Sequence, residues 1–166
     1  MIGRKLAATL NLMPKSKPAD VPLTVSQLAL GDAQPESAVV GWLASAANRV
    51  PLDRGMNSPL LDCNRLYATG LYAHAPSKYI FDLGGKWKEL SGQAGLHTLQ
   101  QPYGSVIFVI KADGREVYRS AVIKGAMHAS YKIDVTGVRK LELIVEPAAD
   151  NNHNDWGLWL DPTLIR

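Results

Sequence analysis

The sequence predicts an all-β domain, an antiparallel β-sandwich or jelly roll over residues 22–166, on three observations. Turn formers are dense, with 14 glycines and 10 prolines in 166 residues, and they separate short runs rich in β-branched and aromatic residues. One run, Ser105 to Ala112, is joined by Asp113-Gly114 to a second, Arg115 to Ser120. Asp-Gly supplies the positive φ values of a type I′ turn, so the pair reads as a β-hairpin. No strand–helix–strand alternation points to a parallel sheet.

Taken in order, Glu36 to Asn48 is the one stretch with helical composition. Gly41 and the Val39-Val40 pair turn the expectation toward strand. Tyr79 to Leu83 reads as a strand that Gly84-Gly85 joins, by a hairpin or tight turn, to a run starting at Lys86-Trp87. Ser105 to Ala112 is apolar at nearly every position and is expected to be buried on both faces. In the partner run Val117 alternates with Glu116 and Tyr118, as in a half-exposed strand. Tyr131 to Val135 alternates, Thr136-Gly137 breaks it, and Lys140 to Glu146 sets Leu141, Leu143 and Val145 on one face. Trp156 to Leu160 is the final strand, and its tryptophans, Trp156 and Trp159, are read as sharing one face in alternation with Leu158 and Leu160.

Size and composition narrow the function. A chain of 166 residues is one domain, large enough to bury a core without staples. With 46% hydrophobic and 20% charged residues, and no apolar run of about 18, a membrane span is not expected. The net charge of +3 rests on Arg4, Lys5, Lys15 and Lys17 near the start. Taking those four from the 18 basic residues leaves 14 against 15 acidic ones, so no nucleic-acid partner is expected. Residues 1–21 read as an N-terminal extension or linker, with a basic start and a short apolar run like a truncated export signal. Cys63 is the single cysteine, which excludes an internal disulfide and zinc sites built on paired cysteines; it reads as a buried small hydrophobe.

Tyr67 to Leu96, with Gly70-Leu-Tyr-Ala-His-Ala-Pro-Ser77 at its head, resembles the NPCBM domain, a family 51 carbohydrate-binding module. The resemblance continues through Gly104 to Gly125, Tyr131 to Asp150 and Asn154 to Ile165. It covers the chain from about Val25 to the C-terminus, although residues 28–53 follow the family's opening only loosely. It implies a β-sandwich that binds sugars, with galactose-terminated glycans as a ligand class. It also implies a module of a larger exported, extracellular or periplasmic protein such as a glycoside hydrolase. A monomer or a module within a larger chain is expected. A bound calcium is implied as well.

The candidate site follows from residue chemistry. His74 sits between a glycine turn and Ala75-Pro76, where its ring either donates to a sugar hydroxyl or pins the turn. Asp150 to Trp156 combines carboxylates and amides, which bond hydroxyl pairs directionally, with an indole that offers a flat apolar face to a pyranose. The expected ligand-binding residues are His74, Asn152, Asn154, Asp155 and Trp156, with Trp42 or Tyr72 nearby. Asp150, Asn152 and Asp155 are the candidate calcium ligands, since calcium takes hard oxygens. An EF-hand is excluded, because no Gly stands at the sixth position of this loop and no Glu at the twelfth. No Gly-x-Ser-x-Gly, His-Glu-x-x-His or phosphate-binding loop is present, so the domain is read as non-catalytic. The alternative is an interaction or structural sandwich that has lost sugar binding. Exposure separates the two readings: a sugar site needs a concave polar patch with an aromatic floor.

Overall fold

A computed structural model describes residues 15–148 and 151–166. Two antiparallel sheets of six strands face one another among these residues. The first runs in the order Ala129–Asp134, Glu89–Leu96, Trp156–Ile165, Gly70–His74 and Ala46–Ala47, with Gln27–Ala29 also on the long Trp156–Ile165 strand. The second runs Arg115–Arg119, Ser105–Ala112, Lys140–Pro147, Ser77–Asp82 and Ser37–Val39, with Ile123–Lys124 also on Ser105–Ala112.

The hairpin at Asp113-Gly114 forms as expected, with φ of 48° and 81° at its two turn residues. Glu36 to Asn48 carries two short strands and no helix. Gly84-Gly85 makes the tight turn, not a hairpin. The strand before it pairs in the second sheet and the strand after it in the first, so the chain crosses between sheets there. Thr136-Gly137 marks a similar crossing.

Leu141, Leu143 and Val145 are fully buried between the sheets, where they meet Val106, Phe108 and Ile110 from the neighbouring strand. The Ser105–Ala112 strand is not buried on both faces along its length. Its outward side keeps only Val109 fully covered, because one layer and not two packs on this sheet. Trp159 centres the core, edge-on to Phe108 at 5.0 Å and to Tyr131 at 5.6 Å.

Trp156 and Trp159 do not share a face. Three residues is an odd step in a strand whose side chains alternate. Trp159 therefore joins the main core, whereas Trp156, Leu158 and Leu160 face outward. Over that outward side lies a second, smaller core of Ala46, Val50, Leu60, Tyr67 and Tyr72. Residues 46–67 supply most of it, so both faces of the first sheet are covered at this end.

Of the expected N-terminal extension, residues 1–14 lie outside the described residues, and residues 15–21 pack on the fold. Pro18 and Ala19 are buried in a 3-10 turn, and the Pro18 carbonyl accepts from Trp87 Nε1 at 3.1 Å. The Arg166 guanidinium covers the Trp87 ring at 4.0 Å and donates to the Val21 and Val25 carbonyls. Cys63 is not a core residue: it occupies a Cys63-Asn64 turn with φ of 45° and 62°, and is half-buried.

Replacing Trp159 with Ala deletes the ring that both Phe108 and Tyr131 abut. The variant should lose about 3–5 kcal/mol of unfolding free energy in urea titrations; a loss below about 1 kcal/mol would remove Trp159 from the centre of the core.

Candidate functional site

A hollow of ≈ 680 Å³ opens at one end of the sandwich, lined by Gly41, Trp42, His74, Gln100, Asn152, His153, Asn154 and Trp156. Four segments build it: the bend at residues 40–45, the end of the Gly70–His74 strand, the Thr98–Gln100 turn, and the loop that leads into Trp156–Ile165. Their meeting is set by strand pairing. His74 and Trp156 are direct partners in adjacent strands, so the ends of both strands rise into the hollow together.

Buried polar bonds hold these ends. Asp155 is 1% exposed, and its Oδ1 accepts the Ser105 N–H at 2.8 Å, tying the loop to the opposite sheet. Its carbonyl accepts from the Ala75 amide at 2.9 Å. Gly104 permits the approach: a Cβ there would lie 2.3 Å from the Asn154 carbonyl oxygen. Gly41 is just as tight, since a Cβ would lie 2.3 Å from the Ala75 oxygen, and its amide bonds the His74 carbonyl. Tyr79 donates to the Tyr72 carbonyl at 2.6 Å, and Tyr72 in turn donates to the Trp42 carbonyl at 3.1 Å. A chain of two phenols thus anchors the exposed bend to the core.

Trp156 is the half-buried floor. Three rings surround it: Tyr72 at 5.8 Å, His97 at 6.0 Å and His74 at 6.4 Å. Trp42 is 55% exposed and stands beside it, the most open tryptophan of the chain's described part. Asn152, His153 and Asn154 are exposed around the rim.

The expected site residues therefore divide. His74, Asn152, Asn154, Trp156 and Trp42 line the hollow. Tyr72 is fully buried beneath it and Asp155 is turned inside the fold, so both support the site without lining it. Gly41, Gln100 and His153 line it without having been anticipated, and His97 lies behind Trp156. His153 stood within the polar loop, but Gln100 and His97 lie in a stretch whose residue types carry no site pattern. Of the expected calcium ligands, Asp150 lies outside the described residues. Asn152 is on the rim, and Asp155 is interior with Oδ1 bonded to the Ser105 amide.

His74 has a defined tautomer. Its Nδ1 lies 2.7 Å from the Ala75 carbonyl oxygen, which only accepts, so Nδ1 carries the proton and Nε2 is an acceptor. In His97 the roles reverse: Nδ1 accepts from the Leu99 amide, and Nε2 donates to Ser58 at 3.1 Å. Burial holds both imidazoles below the usual histidine range, opposed in each case by a backbone bond.

Two outcomes follow from these bonds. Because the two folded-state pKa values lie below those of the unfolded chain, the unfolded chain takes up protons first on acidification. The thermal midpoint should be level above about pH 6.5 and fall below it, with His74→Gln and His97→Gln each removing part of that slope. A midpoint constant from about pH 8 to 5 would refute neutral, buried imidazoles. Asp155→Ala leaves the Ser105 amide without its carboxylate and should cost about 1.5–3 kcal/mol in denaturant unfolding; an unchanged midpoint would show the tie to be idle.

The fold has relatives among known proteins. A protein of Renibacterium salmoninarum named as an endo-alpha-N-acetylgalactosaminidase is 29% identical over 113 residues, which are 68% of this chain and 8% of that protein. The chain thus spans a small part of its relative's length. Among solved structures, the CBM51 module of a Clostridium perfringens GH95 protein, in complex with methyl-galactose, aligns with a TM-score of 0.69 at 19% identity, over 84% of this chain and 99% of that one. CBM51-2 of Clostridium perfringens ZmpB, solved with its INT domains and GlcNAc, aligns at 0.72 and 18% identity, over 84% of this chain and 31% of that one. These likenesses establish the shared sandwich. The NPCBM/NEW2 domain profile matches residues 26–165, nearly the whole described fold, and the chain belongs to that family.

Proposed function

We propose that the chain is a non-catalytic module that binds terminal sugars of glycans, galactose-terminated ones first, in the hollow floored by Trp156. The observation that carries the reading is the exposed Trp42 beside a concave rim of amides and imidazoles at the loop end of the sandwich. An indole supports the C–H face of a pyranose, while Asn152, Asn154, Gln100 and His153 offer paired donors and acceptors to its hydroxyls. His74 Nε2 adds an acceptor whose tautomer is already set, so binding spends no energy fixing it.

Chemistry on the sugar has little support. Glycoside hydrolysis uses two carboxyl groups flanking the scissile bond, and the described lining carries none. The galactose preference draws on the methyl-galactose held by the GH95 module, whereas the GlcNAc held by ZmpB makes an N-acetylated sugar the comparison arm. The relative of Renibacterium salmoninarum supports a place within a larger glycosidase, where the module would hold the enzyme on its substrate. Among the described residues, no helix is long and apolar enough to cross a membrane. The interaction-domain alternative is disfavoured by the open polar concavity, which a sandwich without a sugar site would not need.

Titration calorimetry with methyl-galactoside, lactose and GlcNAc tests this. Wild type should bind the galactosides, and Trp42→Ala or Asn154→Ala should weaken binding by about 1–2 kcal/mol, five- to thirtyfold in Kd. Silence toward a full glycan array would sink the proposal, and stronger binding of GlcNAc would overturn the galactose preference.

A further inference from the structure

Away from the sugar hollow, three metal-ligating groups of different chemistry meet. Asp62 ends the Leu60–Asp62 strand, Cys63 opens the turn that follows, and His128 precedes the Ala129–Asp134 strand. One donor atom from each lies within 4.8 Å of the other two. We propose that Asp62, Cys63 and His128 form a zinc site.

The surroundings are built for a cation. Asp62 is 0% exposed, a costly place for a carboxylate without a counter-charge. Gln101 Nε2 donates to its Oδ1 at 2.6 Å and holds the group in orientation. Oδ2 makes no hydrogen bond of ordinary geometry and instead abuts His128 Nε2. Space for that oxygen exists only because residue 95 is glycine: a Cβ there would lie 2.5 Å from Oδ2 and 3.2 Å from the His128 ring. Cys63 Sγ stands at the same point, 3.6 Å from the Gln101 amide nitrogen and 3.2 Å from the Ala126 carbonyl oxygen. The positive φ of Cys63 places its side chain there, and neither it nor the exposed His128 contributes to the core.

The donor set selects the metal. A thiolate with an imidazole suits zinc over calcium or magnesium, and one carboxylate completes a three-ligand site with a solvent-facing fourth position. Tetrahedral zinc with bonds of about 2.0–2.3 Å sets its donors about 3.3–3.8 Å apart. Asp62 Oδ2 and His128 Nε2, now in contact, would part to admit the ion, and rotation of the exposed His128 and the half-buried Cys63 side chains supplies the adjustment. Zinc with one thiolate, one carboxylate and a neutral imidazole has no net charge, which suits the buried Asp62. Binding releases the thiol proton to solvent. A bare Asp62–His128 ion pair would explain two of the three groups but not the convergence of sulfur on them. Gln101 follows directly on Gln100 of the sugar hollow, so the metal would also brace the turn that carries Gln100.

Titration of the chelator-treated chain with zinc chloride should give one ion per chain, and cobalt chloride should give a thiolate-to-metal charge-transfer band. Cys63→Ser should abolish that band, His128→Ala should weaken uptake at least about tenfold, and Gln101→Ala should weaken it about 10–100-fold. Trp42→Ala should change neither readout. Absence of stoichiometric uptake by the wild type, or full affinity in both Cys63→Ser and His128→Ala, would overturn the site. Because His128 is exposed and the half-buried Cys63 lies outside the core, the test does not depend on a variant of the buried Asp62.

Discussion

The register of the Trp156–Ile165 strand governs everything else in this molecule. It is hydrogen-bonded to Glu89–Leu96 on one side and to Gly70–His74 and Gln27–Ala29 on the other. Its alternation sends Trp159 into the space between the sheets and Trp156 outward beside the hollow. A slip of one residue would exchange those faces, stranding an indole in solvent and emptying the core. The buried Asp155 carboxylate, bonded to the Ser105 amide of the other sheet, pins the strand where it begins. One polar contact thereby serves both the core and the site.

The hollow is built from polar groups that are satisfied before any ligand arrives. Tyr79 bonds the Tyr72 carbonyl, Tyr72 bonds the Trp42 carbonyl, and His74 bonds the Ala75 carbonyl. Such bonds are strong in a low-dielectric interior and costly to break, so the exposed bend carrying Trp42 is held on a rigid base. The aromatic floor is likewise fixed, with Tyr72, His74 and His97 against Trp156. A site that is already ordered loses little entropy on binding, which suits the small contact area of a single sugar.

The segment from His97 to Gln101 joins the two polar centres. His97 bonds the Trp156 carbonyl through its own amide, Gln100 lines the hollow, and Gln101 reaches Asp62. In sequence this stretch offers no pattern, because its residues serve different centres and share no periodicity. The same holds for the meeting of Asp62 and Cys63 with His128, which only the packing of the Leu60–Tyr67 ribbon against the first sheet brings into reach.

The sequence by itself determined the fold class, the Asp-Gly hairpin and the buried face of Lys140–Pro147, because turn chemistry and period-two alternation are local properties, and the family through the resemblance carried by segments such as Gly70 to Ser77. It also brought forward His74, Trp42 and the Asn152–Trp156 loop, whose residue types suit a sugar. Only the tertiary structure decided that Tyr72 and Asp155 support the hollow from within, that residues 15–21 pack on the sandwich, and that Trp156 and Trp159 part company. Those outcomes depend on which strands pair and which face another layer covers, and burial of that kind is a property of the assembled sheets, not of any single run of residues.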